Sequence, residues 1–279
     1  IVTVRPLKDG VIADFNAAEA MIKGMIRMLN GGKGWMFPSL RMVICIPSGI
    51  TEVEKRAVKD SAEHAGAREV YMVHEPIAAA IGIGIDIEQP NGSLVVDIGG
   101  GTTEVAIISL SGIVVENSIR VAGDEFTRDI KDYLLREHKL VIGERSAEQI
   151  KIQVGSALPE LENPPADFEI RGRDQMTGIP KEILINYSEI AYALDSSITK
   201  IEVAIMETLQ RAPAELSGDI FHNGIHLAGG GAMLHGLDKR IEKKTQLKVH
   251  VADDPLKAVI RGTGEILKNL EKYRPVLIT

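Results

Sequence analysis

The chain contains 279 residues, 44% of them hydrophobic and 25% charged, a composition typical of a folded protein with one large or two ordinary domains. Its formal charge of −7 disfavours a nucleic-acid partner, because such binding depends on clustered Lys and Arg. The single cysteine, Cys45, excludes an internal disulfide and a cysteine-based metal site. No apolar run reaches the roughly 20 residues that span a bilayer, and the first residues do not resemble a signal peptide, so we expect a cytoplasmic protein.

The first part of the chain predicts a helix followed by a βαβ unit. Apolar residues at three- and four-residue spacing predict an amphipathic helix that ends at Asn30-Gly31-Gly32. An apolar strand at 41–47, a helix that opens at Thr51 and a second strand at 70–73 follow. Glu54 is placed to complete a capping box with Thr51. This order predicts a parallel sheet covered by helices.

The pattern changes at Gly92. Three short strands, at about 93–98, 103–109 and 113–120, are separated by glycine-containing turns and predict an antiparallel meander. We therefore place a domain boundary near Gly92. The predicted domains are residues 1–91, completed by 255–279, and residues 92–254.

Farther along the chain, helical patterns cover about 148–154, 188–211 and 255–270. A polar stretch at 162–165 is typical of a surface loop. The short apolar strand at 225–228 meets three glycines, and we expect these glycines to open a helix.

The sharpest local feature is the first of two glycine triplets, Gly99–Gly101, which follows the apolar strand that ends with Asp97. Glycine lets a backbone approach a ligand closely, so that successive N–H groups can converge on phosphate oxygens. Thr102 and Thr103 add hydroxyl groups, and Asp97 suits Mg²⁺ held through ordered water. A glycine-rich hairpin with Asp97 as a turn residue is the alternative, and the spacing alone does not separate the two.

The second triplet, Gly229–Gly231, also follows an apolar strand. Two such loops in the same predicted domain, each following an apolar strand, favour a single nucleotide held between them. The chain has neither the Gly-x-x-x-x-Gly-Lys-Ser/Thr pattern nor a Gly-x-Gly-x-x-Gly after its first strand. These absences disfavour a P-loop NTPase and a dinucleotide-binding dehydrogenase.

Several segments together resemble the actin and heat-shock-chaperone ATPase superfamily and, within it, the bacterial actins of the MreB type. The run Asp97-Ile98-Gly99-Gly100-Gly101-Thr102-Thr103-Glu104 is similar to the second phosphate loop of that family, and 227–233 to its adenosine motif. Residues 75–82 and 258–264 resemble its two connecting helices. Segments 5–14 and 143–151 are similar to stretches that distinguish MreB from chaperones and eukaryotic actin.

The resemblance implies an α/β, actin-like (ribonuclease H-like) two-domain ATPase fold with a nucleotide cleft between the domains. It also implies ATP or ADP with Mg²⁺, a slow ATPase coupled to polymerisation, and a filament on the inner face of the cell membrane that directs cell-wall synthesis. The implied partners are further copies of the chain, an anionic membrane surface and membrane proteins of cell-wall elongation. A soluble chaperone-like or sugar-kinase-like ATPase on the same fold, or a non-hydrolysing scaffold, is the alternative.

The resemblance also implies roles for individual residues. Glu75 would orient the attacking water, with Asp97 and Thr102 completing the catalytic set and Asp97 holding Mg²⁺ through water. Without the family, Glu75 reads as an acid at a helix start, and Glu148 with Lys151 as a surface pair. The implied nucleotide-binding residues are Gly99, Gly100, Gly101, Thr102, Thr103, Glu148, Gln149, Ile150, Lys151, Gly229, Gly230, Gly231 and Ala232.

Two departures from the family pattern stand out. The family begins with an Asp-x-Gly-Thr phosphate loop, and the sequence, which starts at Ile1, does not contain it. Two readings stay open: a molecule that lacks this loop would bind ATP weakly and hydrolyse it poorly, whereas a loop supplied by a portion preceding Ile1 would leave function unaffected. His74 stands where the family usually has a second acid, and we expect a packed or surface histidine there.

A glycine-rich loop between the first helix and the apolar strand carries the only tryptophan. Trp35, Met36 and Phe37, flanked by Lys33 and Arg41, have the character of a membrane contact, because aromatic rings favour the headgroup level and cations favour anionic lipid. Rings folded back onto the core are the alternative. MreB proteins resemble this chain in carrying a membrane-inserting loop there, and we predict membrane contact.

Overall fold

The protein is described by a computed structural model that covers residues 4–8, 10–29 and 40–278. The predicted membrane-contact residues Trp35, Met36 and Phe37 lie outside these described residues. Within the described ranges, no helix is both long enough and apolar enough to cross a bilayer.

The secondary structure alternates helices and strands along most of the chain. The helices of the described residues are α1 (Phe15–Leu29), α2 (Glu52–His64), α3 (Glu75–Gly82), α4 (Gly123–His138), α5 (Glu144–Val154), α6 (Tyr187–Gln210), α7 (Ala214–Asn223), α8 (Leu237–Thr245) and α9 (Ala258–Lys268). Their strands are β1 (Leu7–Lys8), β2 (Val11–Ile12), β3 (Arg41–Ile46), β4 (Glu69–His74), β5 (Ser93–Ile98), β6 (Thr103–Ser109), β7 (Gly112–Ile119), β8 (Leu140–Val141), β9 (Phe168–Asp174), β10 (Pro180–Ile185), β11 (Ile225–Ala228) and β12 (Val249–Val251).

A five-stranded sheet of order β12-β11-β5-β6-β7 is the centre of the fold. Strands β5, β6 and β7 form the predicted antiparallel meander, while β11 runs parallel to β5 and β12. Side chains alternate between the two faces of the sheet. Val96 and Ile98 pack with α4 and α6 in one hydrophobic core, whereas Val95 and Ala106 pack with α3 and α9 in another.

The predicted βαβ unit is also present. Strands β3 and β4 pair in parallel, and α2 connects them. Thr51 caps α2 by accepting the N–H of Glu54 (3.2 Å), and the Glu54 carboxylate accepts the N–H of Thr51 (2.8 Å). The capping box read from the sequence is therefore confirmed.

Helices α3 and α9 cross with almost no space between their backbones. A Cβ atom at Gly82 would lie 1.8 Å from the carbonyl oxygen of Ala258, and one at Gly262 would lie 1.8 Å from that of Ala78. Only glycine at both positions permits this approach. The crossing lies under the sheet face that holds Val95 and places the start of α3 near the end of β5.

The starts of two predicted helices differ from the structure. The second glycine triplet does not open a long helix: Gly230–Met233 is a single 3-10 turn, Leu234 is extended, and α8 begins only at Leu237. Gly236 has a φ of +71°, a left-handed conformation that interrupts helical hydrogen bonding. The last predicted helix likewise starts with a 3-10 turn, Pro255–Lys257, before α9. The division into two domains near Gly92 stays a prediction.

Candidate functional site

Three carboxylates meet on the sheet face that α3 covers. Asp97 at the end of β5 pairs directly with Glu104 on β6, and their relative exposures are only 5% and 1%. Glu75 is the first residue of α3, the helix packed against this face. The structure thus brings the predicted Glu75 and Asp97 together and adds Glu104, which the sequence reading did not assign to the site.

Burial dominates the acid–base behaviour of this cluster. It raises the pKa of Glu75 to about 8, with the charges of Asp97 and Glu104 adding to the shift. Burial and then Glu104 raise the pKa of Asp97 to about 7. The pKa of Glu104 is also raised by burial, against the lowering effect of hydrogen bonds from the Ser118 hydroxyl (2.6 Å) and the Ser48 N–H (3.1 Å).

The cluster lacks a compensating positive charge in the part of the chain that the structure describes. None of the three carboxylates forms an ion pair with those residues, and Oδ1 of Asp97 is buried with no hydrogen-bond partner among them. An unpaired buried carboxylate oxygen is costly, and a hard divalent cation would satisfy it. The same ranges contain no group of three or more His, Cys, Asp or Glu side chains fit to ligate a metal directly. Asp97 is thus the residue of this cluster that could hold a divalent cation such as Mg²⁺ through water.

The first glycine loop is held by the start of α4. The N–H of Gly123 donates to the carbonyl of Gly99 (3.1 Å), and the N–H of Asp124 donates to that of Gly100 (2.7 Å). These N–H groups have no partner within their own helix, and the loop supplies one. A Cβ atom at Gly100 would meet nothing within 4 Å, so the loop borders open space there. The loop is fixed through its carbonyl groups and open on another side.

The two threonines after this loop differ in position. Thr102 is 7% exposed and packs against Gly10, where a Cβ atom would lie 2.8 Å from the threonine Cγ2. Thr103 is fully buried and donates its hydroxyl to the carbonyl of Val121 (2.7 Å). It faces the side of β6 away from Glu104, as strand alternation requires. Its hydroxyl is therefore already engaged away from the carboxylate cluster.

The second glycine loop lies directly against the end of β5. Ala228 pairs with Asp97, and the next residue, Gly229, has a φ of +80°. A Cβ atom at Gly229 would lie 2.4 Å from Oδ1 of Asp97, and one at Gly231 would lie 2.2 Å from Cγ2 of Ile98. The structure thus places the two glycine loops side by side, at the carboxyl ends of parallel strands, where open sheets bind ligands.

The predicted nucleotide-binding residues of α5 lie in different environments. Glu148 and Lys151 form an ion pair of 2.7 Å, and Lys151 also donates to the carbonyl of Gly123 (2.9 Å) at the start of α4. Gln149 is exposed, whereas Ile150 is fully buried in the core. Thr127 of α4, which the sequence reading did not single out, donates to Glu148 (2.8 Å). No motif in the sequence marks Thr127, because its role depends on how α4 and α5 pack.

The remaining predicted residues lie close to the second loop or the cluster. Ala232, in the 3-10 turn that follows Gly229, is buried, and Gly230 faces Leu256. His74 caps α3 without a side-chain hydrogen bond, its Nδ1 is buried with no partner among the described residues, and burial lowers its pKa. It is the packed histidine that the sequence analysis expects.

The chain matches known proteins over almost its full length. The family model for MreB/Mbl protein matches residues 1–275. The cell shape-determining protein Mbl of Bacillus subtilis (strain 168) is 48% identical over 272 residues, which cover 98% of this chain and 80% of that protein. The cell shape-determining protein MreB of Escherichia coli (strain K12) is 45% identical over 273 residues, covering 98% and 78%.

Solved structures agree with the fold. MreB5 of Spiroplasma citri bound to ADP has a TM-score of 0.90 and 40% identity, with 98% of this chain and 80% of that chain covered. The same protein bound to AMPPNP also has a TM-score of 0.90, with 41% identity and the same coverage. The MamK double helical filament has a TM-score of 0.79 at 21% identity, over 94% and 80%, and supports the fold alone. The predicted family and actin-like fold are confirmed, and the chain belongs to the MreB/Mbl family of bacterial actin-like proteins.

Proposed function

We propose that this protein is a nucleotide-dependent cytoskeletal protein that determines cell shape, binding ATP or ADP between its two glycine loops and assembling into filaments. The observation that carries the proposal is the contact of Gly229 and Gly231 with the end of β5, which brings both loops to Asp97. One relative, MreB5 of Spiroplasma citri, has been solved bound to ADP and bound to AMPPNP, at 40% and 41% identity to this chain, and the curated relatives are named for cell shape.

The proposed site assigns a task to most of the predicted residues. Gly99–Thr102 would face the phosphates, Gly229–Ala232 and Glu148 would face the adenosine, and Asp97 would hold Mg²⁺ through water. The cation would supply charge neutralisation for the phosphates and would favour the ionised forms of Glu75 and Asp97. Glu75 would orient a water molecule for attack on the terminal phosphate.

Assembly and membrane attachment extend the proposal beyond the cleft. Membership of the MreB/Mbl family, whose curated relatives are named for cell shape, supports self-association into an open, head-to-tail polymer. Trp35, Met36 and Phe37 provide the membrane contact on the inner face of the cell membrane. There the filament would direct cell-wall synthesis through membrane proteins of the elongation machinery.

Sedimentation with Mg-ATP and anionic lipid vesicles tests the proposal. We expect the parent protein to pellet as filaments on vesicles when Mg-ATP is present. Asp97→Ala should remove the nucleotide dependence, because the orphaned carboxylate oxygen is the proposed cation site. The double variant Trp35→Ser, Phe37→Ser should still bind ATP but should no longer pellet with the vesicles.

The opposite result in each of these tests would contradict one part of the proposal. Parent protein that binds ATP but stays monomeric would support a soluble ATPase instead of a filament. Unchanged vesicle pelleting of the double variant would remove the membrane loop. Unchanged ATP dependence of Asp97→Ala would remove the cation site.

A further inference from the structure

Two histidines stand side by side at the edge of the central sheet, outside the proposed nucleotide site. His226 of β11 pairs directly with His250 of β12, and β12 is the outermost strand on this side of the sheet in the described part of the chain. Their imidazole rings are stacked, with centres 5.4 Å apart and planes inclined by 26°. His226 is half-buried and His250 is exposed. The parallel strands thus hold two rings with nitrogen donors at a defined spacing.

The two rings line a cavity of about 600 Å³. Its other walls are the end of α3 with the turn that follows it (82–85), the end of β12 with the turn that follows it (251–254), and Arg261 of α9. Gly84 has a φ of +86°, and a Cβ atom there would meet nothing within 4 Å, so this wall leaves open space. A small ligand can therefore reach the rings from solvent.

The ring nitrogens are not engaged by the part of the chain that the structure describes. Neither ring makes a hydrogen bond or an ion pair with a residue of that part, unlike His138, whose Nε2 lies 2.8 Å from Oε2 of Glu189. A Cβ atom at Gly224 would lie 3.2 Å from Nε2 of His250, so the missing side chain keeps that nitrogen uncovered. Both rings can therefore offer a nitrogen to a ligand.

The charged groups around the cavity balance one another. Asp254 is shared between Lys257 (3.1 Å) and Arg261 (2.9 Å), and Asp253 adds a second negative charge. The chemistry of the two imidazoles, and not net charge, therefore decides which ligand this cavity selects.

The spacing of the rings matches that of two imidazoles on one metal ion. Neutral imidazole is the commonest protein ligand of metals, and two imidazoles on a tetrahedral Zn²⁺ with Zn–N bonds of about 2.0–2.1 Å have ring centres roughly 5 Å apart. The observed 5.4 Å is close to this value, and the exposed His250 ring can turn a nitrogen toward an ion held by His226. The described residues contain no group of three or more His, Cys, Asp or Glu side chains arranged around a metal, so water would complete the coordination. Mg²⁺ fits poorly, because it prefers oxygen ligands.

We propose that His226 and His250 form a binding site for a transition-metal dication such as Zn²⁺, held by one nitrogen of each ring and by water. The bound ion would join the edge strand β12 to β11 and lie beside the end of α3. The site takes a different class of cation from the one proposed at Asp97, and it does not depend on nucleotide binding.

Calorimetric titration with Zn²⁺ in the absence of nucleotide tests the site, after EDTA treatment and dialysis of the protein. We expect the parent to bind one Zn²⁺ per chain. His226→Gln and His250→Gln should each weaken binding at least tenfold, because loss of even an outer partner of a metal ligand costs about 10–100-fold in affinity. His222→Gln, at an exposed histidine of α7, is the matched control and should bind Zn²⁺ like the parent.

Nuclear magnetic resonance of the histidine rings then locates the ion. An equimolar amount of Zn²⁺ should shift the ring signals of His226 and His250 together, because both nitrogens bind the same ion. The ring signals of His222 should stay in place, and EDTA should restore the original spectrum.

The variant His250→Gln decides the outcome, because an exposed side chain can be replaced without disturbing the core. Parent-like Zn²⁺ affinity in this variant would overturn the proposal, as would a parent protein in which Zn²⁺ shifts neither ring. Weaker binding in both His226→Gln and His250→Gln, with parent-like affinity in His222→Gln, would support it. Either result leaves the proposed nucleotide site untouched.

Discussion

At the residue scale, the site is defined by which face of a strand each side chain occupies. Asp97 and Glu104 point to the face covered by α3, whereas Thr103 points to the opposite core. Alternation along β5 and β6 thus decides which residues can reach a ligand. This arrangement buries a group of acids whose negative charge is not balanced by any of the described side chains.

Glu75 makes the stability of the ligand-free protein depend on pH. Its pKa is raised from 4.5 to about 8 in the folded protein, mainly by burial. Between these two values the folded state keeps a proton on Glu75 that the unfolded state loses. The contribution of Glu75 to the free energy of unfolding is therefore fully present below pH 4.5 and is lost as the pH rises through 8. We expect the free energy of unfolding to fall across this range, and Glu75→Gln to reduce the fall.

Urea unfolding of the ligand-free protein at a series of pH values measures this effect. Glu160→Gln, at an exposed glutamate, is the matched control and should leave the pH dependence unchanged. An equal slope in the parent and Glu75→Gln would contradict the burial of that carboxyl group.

Only part of the site could be read from single residues. Asp97 could be singled out because it ends an apolar strand shortly before a glycine triplet, but its assignment to the site also needed the second triplet and the family resemblance. Glu104 was not, because a charged residue inside a strand normally indicates a solvent-facing side, and only the pairing of β5 with β6 places it opposite Asp97. Thr127 and the engaged state of Lys151 depend on packing between helices, which local sequence does not encode.

At the scale of elements, the sequence predicted the features that depend on residues close together in the chain. The βαβ unit, the meander and the cap of α2 follow from hydrophobic period and capping chemistry, and all are present. The helix expected at the second glycine triplet is only a 3-10 turn, because Gly229 and Gly231 are packed against β5 and the left-handed Gly236 follows. Tertiary contact overrides the local tendency at that point.

The crossing of α3 and α9 gives a sharp test of packing. Gly262→Ala would place a methyl group 1.8 Å from the carbonyl oxygen of Ala78, so the helices must separate. We expect a loss of about 3 kcal/mol in the free energy of unfolding, typical of an overpacked core. Gly264→Ala, in the same helix with nothing within 4 Å, should instead stabilise by about 0.5–1 kcal/mol. Denaturant unfolding of the two variants measures the difference; equal stability would mean that the close crossing is absent in solution.

At the scale of the whole molecule, the central sheet is shared by two hydrophobic cores. One of its faces belongs to α4 and α6, the other to α3 and α9. The carboxyl ends of the parallel strands β5 and β11 emerge where these two cores meet the glycine loops. A ligand there would contact elements attached to both cores, so its binding should stabilise the molecule as a unit.

This arrangement predicts a metal-dependent stabilisation by nucleotide. At a hundredfold excess over its Kd, ATP should raise the free energy of unfolding by about 2.7 kcal/mol. Chelating Mg²⁺ with EDTA should remove much of this gain in the parent. ATP should stabilise Asp97→Asn less than it stabilises the parent. EDTA should not change this smaller increase in the free energy of unfolding. Urea unfolding with and without EDTA measures both effects, and an EDTA-insensitive parent would contradict the assignment of Asp97 to Mg²⁺.

The paired glycines of α3 and α9 also restrict how this protein can evolve. Each faces a backbone carbonyl of the other helix, so a side chain gained at Gly82 or Gly262 meets an atom that every amino acid possesses. No second substitution can remove this carbonyl oxygen. To relieve the clash, a whole helix would have to move together with the core that packs against it. Reversion would therefore be the most direct way to restore the crossing after either glycine is lost, and we expect both positions to tolerate substitution poorly.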